Sequence, residues 1–179
     1  ESVCKEIDAL LDHKVVVVNT SKGFHPETFD RMSDVIRRNI SAEHLSSVVS
    51  LIGPSHAEEV VIRMLTTICA VSQKEADAQK IQKLFSNDYL RIYTGTDEIG
   101  SEIGVAVKNA IALASGVLYG LGYGDNTRAA LITRGLMEMT RYGVALGGKK
   151  ETFMGLTGIG DLIVTCTSKH SRNFQAGYD

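Results

Sequence analysis

The sequence is poor in several residue types, and each scarcity makes some class of protein improbable. Its 179 residues include no tryptophan, two prolines and three cysteines. Cys4, Cys69 and Cys166 are far apart and show no C-x-x-C spacing, which argues against a disulfide framework and favours a reducing compartment, by default the cytoplasm. The five histidines are too scattered for a zinc motif, so we expect no metal site.

Positive and negative side chains are nearly balanced in number. A formal net charge of −2 provides no broad cationic surface, so we expect no nucleic-acid partner. No charged segment followed by an apolar one opens the sequence, so no secretory signal is predicted. The G-x-G-x-x-G fingerprint of dinucleotide binding is absent. With 44% hydrophobic residues, the chain is predicted to be globular with a substantial core.

The most unusual stretch runs from Ile103 to Gly124, in which Lys108 is the only formal charge. A stripe of apolar residues at alternating spacings of four and three predicts a helix; it consists of Ile99, Ile103, Ala106, Ala110, Leu113 and Val117. The face that carries Lys108 is also small or apolar, so the helix should be buried. Burial favours the neutral amine, and such a lysine can exchange protons near neutral pH.

Two other interpretations of Lys108 are available. It could extend to solvent from a helix end or pair with a structural carboxylate, as an arbitrary core lysine more often does. The stretch is also long enough for a membrane span, but the adjacent Lys108 and Asn109 and the later glycines argue against one, because a charge at bilayer depth is costly.

Before this helix, predicted helices alternate with short apolar strands, which is typical of an α/β domain. The strands are predicted at 15–18, 47–52, 66–71 and 89–93, and the four consecutive valines of the first favour a strand buried on both faces of a parallel sheet. After residue 96 strands stop and helices take over. We therefore predict an α/β plus all-α fold with a sheet domain over 1–96 and a helical domain over 97–179.

Polar residues follow the first two strands, where open parallel sheets bind ligands. Lys22 comes after the first strand and is placed to meet an anion or a polar substrate group, although a solvated loop lysine would show the same pattern. Gly53 and Ser55 come after the second strand, immediately before a predicted helix. Ser55 either caps that helix or contacts a ligand, and the two roles are compatible.

A second polar group lies near the end of the sequence. Glycines precede Asp161, which would share a helix face with Thr165 four residues later. Ser171, Arg172 and Asn173 then supply a hydroxyl, a guanidinium and an amide, which together would suit a phosphate. The structural alternatives are a helix cap for Asp161 and a surface ion pair for Arg172.

Seven stretches, in this order, resemble the NAD(P)-dependent glycerol-3-phosphate dehydrogenases of the bacterial type. They are Ser21-Lys22-Gly23, residues 53–59 (GPSHAEE), Val107-Lys108-Asn109, residues 122–126 (GYGDN), residues 133–138 (TRGLME), residues 155–162 (GLTGIGDL) and Ser171-Arg172-Asn173. The resemblance covers essentially the whole chain. It implies a partial Rossmann-like domain over 1–96, followed by part of a helical domain similar to the C-terminal domain of 6-phosphogluconate dehydrogenase.

The resemblance also implies a reaction and a set of roles. The family reduces dihydroxyacetone phosphate to sn-glycerol 3-phosphate with NADH or NADPH, supplying phospholipid synthesis, and its members are expected to be cytoplasmic homodimers. Lys108 would be the proton donor and acceptor. Substrate contacts would come from Lys22, Gly53, Ser55, Lys108, Asp161, Ser171, Arg172 and Asn173, and NAD or NADP contacts from Lys22, Ala57 and Arg172.

The family's opening glycine-rich unit and its C-terminal helices have no counterpart in these residues, so we expect a fragment that is itself inactive. Two alternatives to the main interpretation stay open. One is another two-domain dehydrogenase for β-hydroxyacids, such as a ketopantoate reductase, which the cluster Ser171-Arg172-Asn173 disfavours. The other is a non-catalytic, truncated dimerisation module in which Lys108 is vestigial.

Overall fold

The computed structural model describes all 179 residues, as a four-stranded sheet with flanking helices followed by a helical half. The strands are β1 (Val15–Asn19), β2 (Leu45–Ile52), β3 (Thr66–Val71) and β4 (Leu90–Gly95). The helices of the first half are α1 (Ser2–Asp8), α2 (Met32–Asn39), α3 (Ala57–Val61) and α4 (Glu75–Phe85). Those of the second half are α5 (Glu98–Gly120), α6 (Asp125–Ala145), α7 (Lys150–Phe153), α8 (Asp161–Thr167) and α9 (Arg172–Tyr178), with a π-helical turn at Leu156–Gly160.

The sheet has the order β1-β2-β3-β4 and departs from an all-parallel arrangement at one pair. β1 pairs with β2 and β3 with β4 in parallel, but β2 and β3 are antiparallel, with Ile52 opposite Cys69. The connection between them contains only the five-residue α3, so the chain doubles back instead of crossing over the sheet. The loops after β1 and β2 therefore meet at one edge, and the ends of β3 and β4 lie at the other.

Helices cover both faces of this sheet. Val49 of β2 packs in a cluster with residues of β3, β4 and α4, whereas the neighbouring Val48 packs with Ile36 and Ile40 around α2. β1 lies at the edge of the sheet and bonds only to β2. Its valines are half-buried, so the expectation of a strand buried on both faces was wrong for β1.

α5 is the central helix of the second half and packs against α6, α8 and α9. It begins where Asp97 caps it, accepting a hydrogen bond from the backbone N–H of Gly100 at 3.0 Å. Its contact with α9 is close, because a Cβ on Gly116 would lie 2.0 Å from the backbone oxygen of Phe174. Small residues at this crossing let the two backbones approach each other.

α5 is long and apolar enough to span a bilayer. It is instead the core helix of the second half, and the face that carries Lys108 is the buried one. The apolar stripe is buried at Ile103, which is 1% exposed, but Leu113 and Val117 farther along it are 44% and 43% exposed. The helix and the burial of the face that carries Lys108 were predicted correctly, but part of the apolar stripe is less buried than expected.

Candidate active site

A polar cavity of about 720 Å³ opens where the loops after β1 and β2 face α5, α8 and α9. Its volume lies within the range of small-molecule sites. Only one lining residue, Val164, is hydrophobic. The others are Thr20, Ser21, Lys22, Ser55, His56, Lys108, Asn109, Asp161, Thr165, His170, Ser171, Arg172 and Asn173. The structure thus brings together seven of the nine residues that the sequence singled out as a site.

Lys108 extends from the middle of α5 to two partners on α8. Its Nζ lies 2.8 Å from Asp161 Oδ1 and donates a hydrogen bond to Thr165 Oγ1 at 2.6 Å. The Thr165 hydroxyl in turn donates to the backbone oxygen of Asp161, one helical turn earlier, at 2.6 Å. Lys108 and Asp161 are only 3% and 1% exposed, so the ammonium is held by a buried carboxylate while facing a polar cavity.

Burial is the largest influence on Lys108 and lowers the pKa of its ammonium, because the charged form loses hydration. The carboxylate of Asp161 opposes this and raises the pKa, while the positive charge of Lys22 lowers it further. Cys166, the residue after Thr165, is buried, and burial raises the pKa of its thiol to about 12. The net result is a lowered pKa for Lys108, so its ammonium gives up a proton more readily than that of an exposed lysine.

The second oxygen of Asp161 lacks a hydrogen-bond partner. Oδ2 is buried without a hydrogen-bond donor, and the Nζ of Lys22 lies 3.8 Å from it. Buried carboxylate oxygens normally accept hydrogen bonds. An orphaned acceptor at the wall of a polar cavity, between two ammonium groups, fits a ligand that brings a hydroxyl donor.

Lys22 reaches this point from the loop after β1. The loop turns at Gly23, whose φ of +106° is a conformation that residues with a side chain rarely adopt. No side chain lies within 4 Å of the position of a Cβ on Gly23, so the glycine is required by backbone geometry and not by packing. The side chain of Lys22 is 38% exposed and stays accessible to a ligand.

The residues Ser171, Arg172 and Asn173 lie at the start of α9, and all three line the cavity. Ser171 caps the helix, its Oγ accepting from the backbone N–H of Phe174 at 3.3 Å. Arg172 makes no ion pair in the structure, so the alternative of a surface ion pair is not what is observed. An unpaired guanidinium beside a capped helix start is well suited to an anionic group.

Ser55 lines the cavity without capping α3. Its hydroxyl donates to the backbone oxygen of Gly53 at 3.2 Å, and the residue at the cap position is His56. Gly53 is buried, and a Cβ there would lie 2.9 Å from the Cα of Ile68, so packing against β3 explains this glycine. Ala57 is exposed at the start of α3. Neither Gly53 nor Ala57 is among the residues that line the cavity.

Several cavity residues were not singled out as site residues from the sequence. In the sequence, Asn109 drew attention only because it follows Lys108, and Thr165 only because it lies four residues after Asp161. In the structure, Thr165 accepts a hydrogen bond directly from the ammonium of Lys108. His56 and His170 come from separate loops, and their ring centres lie 5.8 Å apart at the cavity. Only the fold brings these two together, because 113 intervening residues give no sequence signal.

The chemistry of the lining fits part of a nicotinamide dinucleotide site. Lys22 and Arg172 offer cations to phosphates, and the loops after β1 and β2 lie at the sheet edge where dinucleotides bind in such folds. No group of three or more His, Cys, Asp or Glu side chains is placed to hold a metal ion.

Comparison with known proteins gives one consistent family. The model for the N-terminus of NAD-dependent glycerol-3-phosphate dehydrogenase matches residues 1–78, and the model for its C-terminus matches residues 97–179. The chain is 53% identical over 176 residues to the glycerol-3-phosphate dehydrogenase [NAD(P)+] of Staphylococcus haemolyticus, and 54% identical over 175 residues to that of Streptococcus pyogenes. These alignments cover 98% of this chain and 53% and 52% of the two relatives.

A solved structure shows the same fold. The glycerol-3-phosphate dehydrogenase of Coxiella burnetii superposes with a TM-score of 0.89 at 35% identity, over 97% of this chain and 52% of that one. The chain thus spans about half the length of the relatives it matches, and its strands and helices are arranged as in that enzyme.

Proposed function

Because the chain belongs to the NAD-dependent glycerol-3-phosphate dehydrogenase family, we propose that the protein carrying it interconverts dihydroxyacetone phosphate and sn-glycerol 3-phosphate. The cofactor is NAD or NADP, and the product feeds glycerophospholipid synthesis. One observation supports this most directly. A buried lysine, paired with a buried carboxylate, faces a polar cavity that also holds an unpaired arginine.

Lys108 is the proposed catalytic residue. When bound, the dinucleotide supplies a hydride to the carbonyl carbon of the substrate. The carbonyl oxygen then gains negative charge, and the ammonium of Lys108 stabilises it and donates a proton to it. Burial lowers the pKa of Lys108 and so eases this transfer, while Asp161 keeps the ammonium charged before the reaction. In the reverse direction the neutral amine accepts the proton.

The remaining site residues are proposed to position the substrate. Arg172, with Ser171 and Asn173, binds the phosphate, which lets remote binding energy orient the reacting carbonyl. Asp161 Oδ2, which lacks a donor, accepts from a substrate hydroxyl. Further substrate contacts are proposed for Lys22, Gly53 and Ser55, the last two at the loop after β2.

The nucleotide contacts are proposed for Lys22, Ala57 and Arg172. Lys22 and Arg172 both bring positive charge to the cavity lining, and Ala57 is exposed at a helix start. A boundary between a sheet domain at 1–96 and a helical domain at 97–179 is supported by the end of β4 at Gly95 and the cap of α5 at Asp97.

A homodimer in the cytoplasm is the assembly and location that we propose. The exposed apolar side chains of the helical half, among them Leu113 and Val117, are consistent with further burial in an assembly. Sedimentation of the full-length protein should give twice the mass of one chain.

The activity is tested by following oxidation of NADH and of NADPH by the full-length protein, with dihydroxyacetone phosphate as substrate. Turnover with either nucleotide supports the proposal. Ketopantoate serves as the matched control, since it has a carboxylate in place of the phosphate. Turnover of ketopantoate alone would favour a ketopantoate reductase, and the absence of any turnover in a protein that still dimerises would favour a non-catalytic dimerisation module.

A further inference from the structure

The loop that carries Lys22 is fastened at its start by a buried asparagine. Asn19, the last residue of β1, is only 6% exposed. Its Oδ1 accepts from the backbone N–H of Ser21 at 2.9 Å, and its Nδ2 lies 3.4 Å from both the backbone oxygen of Ser21 and the hydroxyl of Ser50. The backbone next to Lys22 is therefore held by a side chain that is itself held by β2.

Ser50 continues this chain of hydrogen bonds into the helical half. Its hydroxyl accepts from Asn19 and donates to Glu102 Oε1 of α5 at 3.2 Å. Ser50 is fully buried and Glu102 is 6% exposed. Glu102 also borders a small cavity together with Ser21, Lys22 and Gly23. A carboxylate on α5 is thus linked, through two side chains, to the residue before Lys22.

The same carboxylate holds the far end of the loop. Glu102 accepts from the backbone N–H of Ser33 at 3.1 Å and from its hydroxyl at 2.6 Å. Arg31, at the cap position of α2, makes no capping bond, but its guanidinium lies 3.9 Å from Glu102. Glu102 therefore supplies from α5 the acceptor that the start of α2 needs. The segment between β1 and α2 is anchored to Glu102 at both ends.

α5 carries Lys108 as well as Glu102, six residues apart on one continuous helix. Both lysines near Asp161 are therefore connected to α5. Lys108 belongs to the helix, and Lys22 is linked to it through Asn19 and Ser50. Misplacing a group by even a small distance weakens catalysis strongly when the reaction depends on orientation.

We propose that Glu102 is a positioning residue, which sets the place of Lys22 relative to Lys108 through the hydrogen-bond chain Glu102–Ser50–Asn19. This inference rests on the proposed function only for its kinetic consequence. The geometric part, that Glu102 orders the loop at residues 19–23, holds whatever the substrate is.

Two buried serines provide a matched pair of variants. Ser50 and Ser33 are both fully buried, and both hydroxyls donate to Glu102, but only Ser50 leads to Lys22. In the full-length protein, Ser50→Ala should raise the KM for dihydroxyacetone phosphate roughly five- to tenfold, the loss expected from one weakened hydrogen bond, with a smaller change in kcat. Ser33→Ala should leave KM near that of the wild type.

Hydrogen exchange gives a second readout that does not require activity. Amides of residues 19–23 should exchange faster in Ser50→Ala and in Glu102→Ala, but not in Ser33→Ala. Equal effects of the two serine variants, on KM and on exchange at 19–23, would overturn the inference. If the wild type shows no turnover, the proposed function fails, and the exchange comparison still decides the role of Glu102.

Discussion

Replacing Asp161 by asparagine removes the only carboxylate beside Lys108 and leaves a buried ammonium without a counter-ion. The two charges are 2.8 Å apart and their side chains are 4% and 2% exposed. At an effective dielectric constant of about 20, this attraction is roughly 6 kcal/mol, part of which offsets the cost of desolvating both groups. Breaking such a pair from one side should lower the free energy of unfolding by about 3–5 kcal/mol.

Lys108→Met should cost less, because Asp161 keeps Lys22 at 3.8 Å as a partner. The double variant, Lys108→Met with Asp161→Asn, removes both charges of the pair. Its loss of unfolding free energy should therefore be smaller than the sum of the losses in the two single variants. We expect a coupling free energy of about 3 kcal/mol, measured by urea unfolding of the four proteins. Additive losses would refute the conclusion that the two charges form a pair in the folded protein.

The free energy of unfolding should change with pH in a definite direction. The pKa of Lys108 is lowered in the folded protein from its ordinary value of 10.5, so the unfolded chain binds more protons between the folded pKa and 10.5. Stability should therefore rise with pH across that window, and this contribution is lost as pH falls through the folded pKa. Asp161→Asn removes the charge that raises the pKa, so its destabilisation should shrink at alkaline pH. If the loss of unfolding free energy caused by Asp161→Asn grew with pH, this reasoning would be contradicted.

Three further changes test other parts of the structure. Gly23→Ala introduces a side chain at φ +106° and should cost about 1–3 kcal/mol of unfolding free energy through backbone strain, read from a urea titration. Gly116→Ala places a Cβ 2.0 Å from a facing backbone oxygen and should lower the thermal midpoint strongly, whereas Gly124→Ala, with open space around it, should not. Thr165→Val removes the 2.6 Å hydrogen bond to Lys108 and should lower kcat in the full-length enzyme about five- to tenfold with little change in fold, as judged by circular dichroism. An unchanged kcat would show that this hydroxyl does not hold the ammonium.

Much of the fold could be predicted because local patterns determine it. The four strands lie within two residues of the predicted positions, and α5 begins within two residues of the predicted domain boundary at 96. The antiparallel pairing of β2 with β3 could not be predicted, since it depends on how short α3 is and on which edges pair. The apolar stripe of α5 is also less buried than its periodicity indicates, since Leu113 and Val117 are 44% and 43% exposed.

The candidate active site could likewise be predicted only in part from the sequence. The positions of Lys108, Asp161 and Arg172 in the sequence suggested chemistry, and the fold places all three around one cavity. The direct bond between Lys108 and Thr165 was not predicted, because an i, i+4 spacing places Thr165 near Asp161 but does not show which helix faces them. Long-range contacts such as those of Glu102 with Ser33 and Ser50 carry no periodic signal in the sequence.

The role of Lys108 as proton donor is tested most directly by Lys108→Ala in the full-length protein, compared with the wild type for oxidation of NADH or NADPH by dihydroxyacetone phosphate. We expect kcat to fall by roughly two to four orders of magnitude, the contribution that general acid catalysis makes, while the thermal midpoint shows that the variant is folded. A folded variant that keeps the kcat of the wild type would show that Lys108 is structural and would contradict the proposed mechanism.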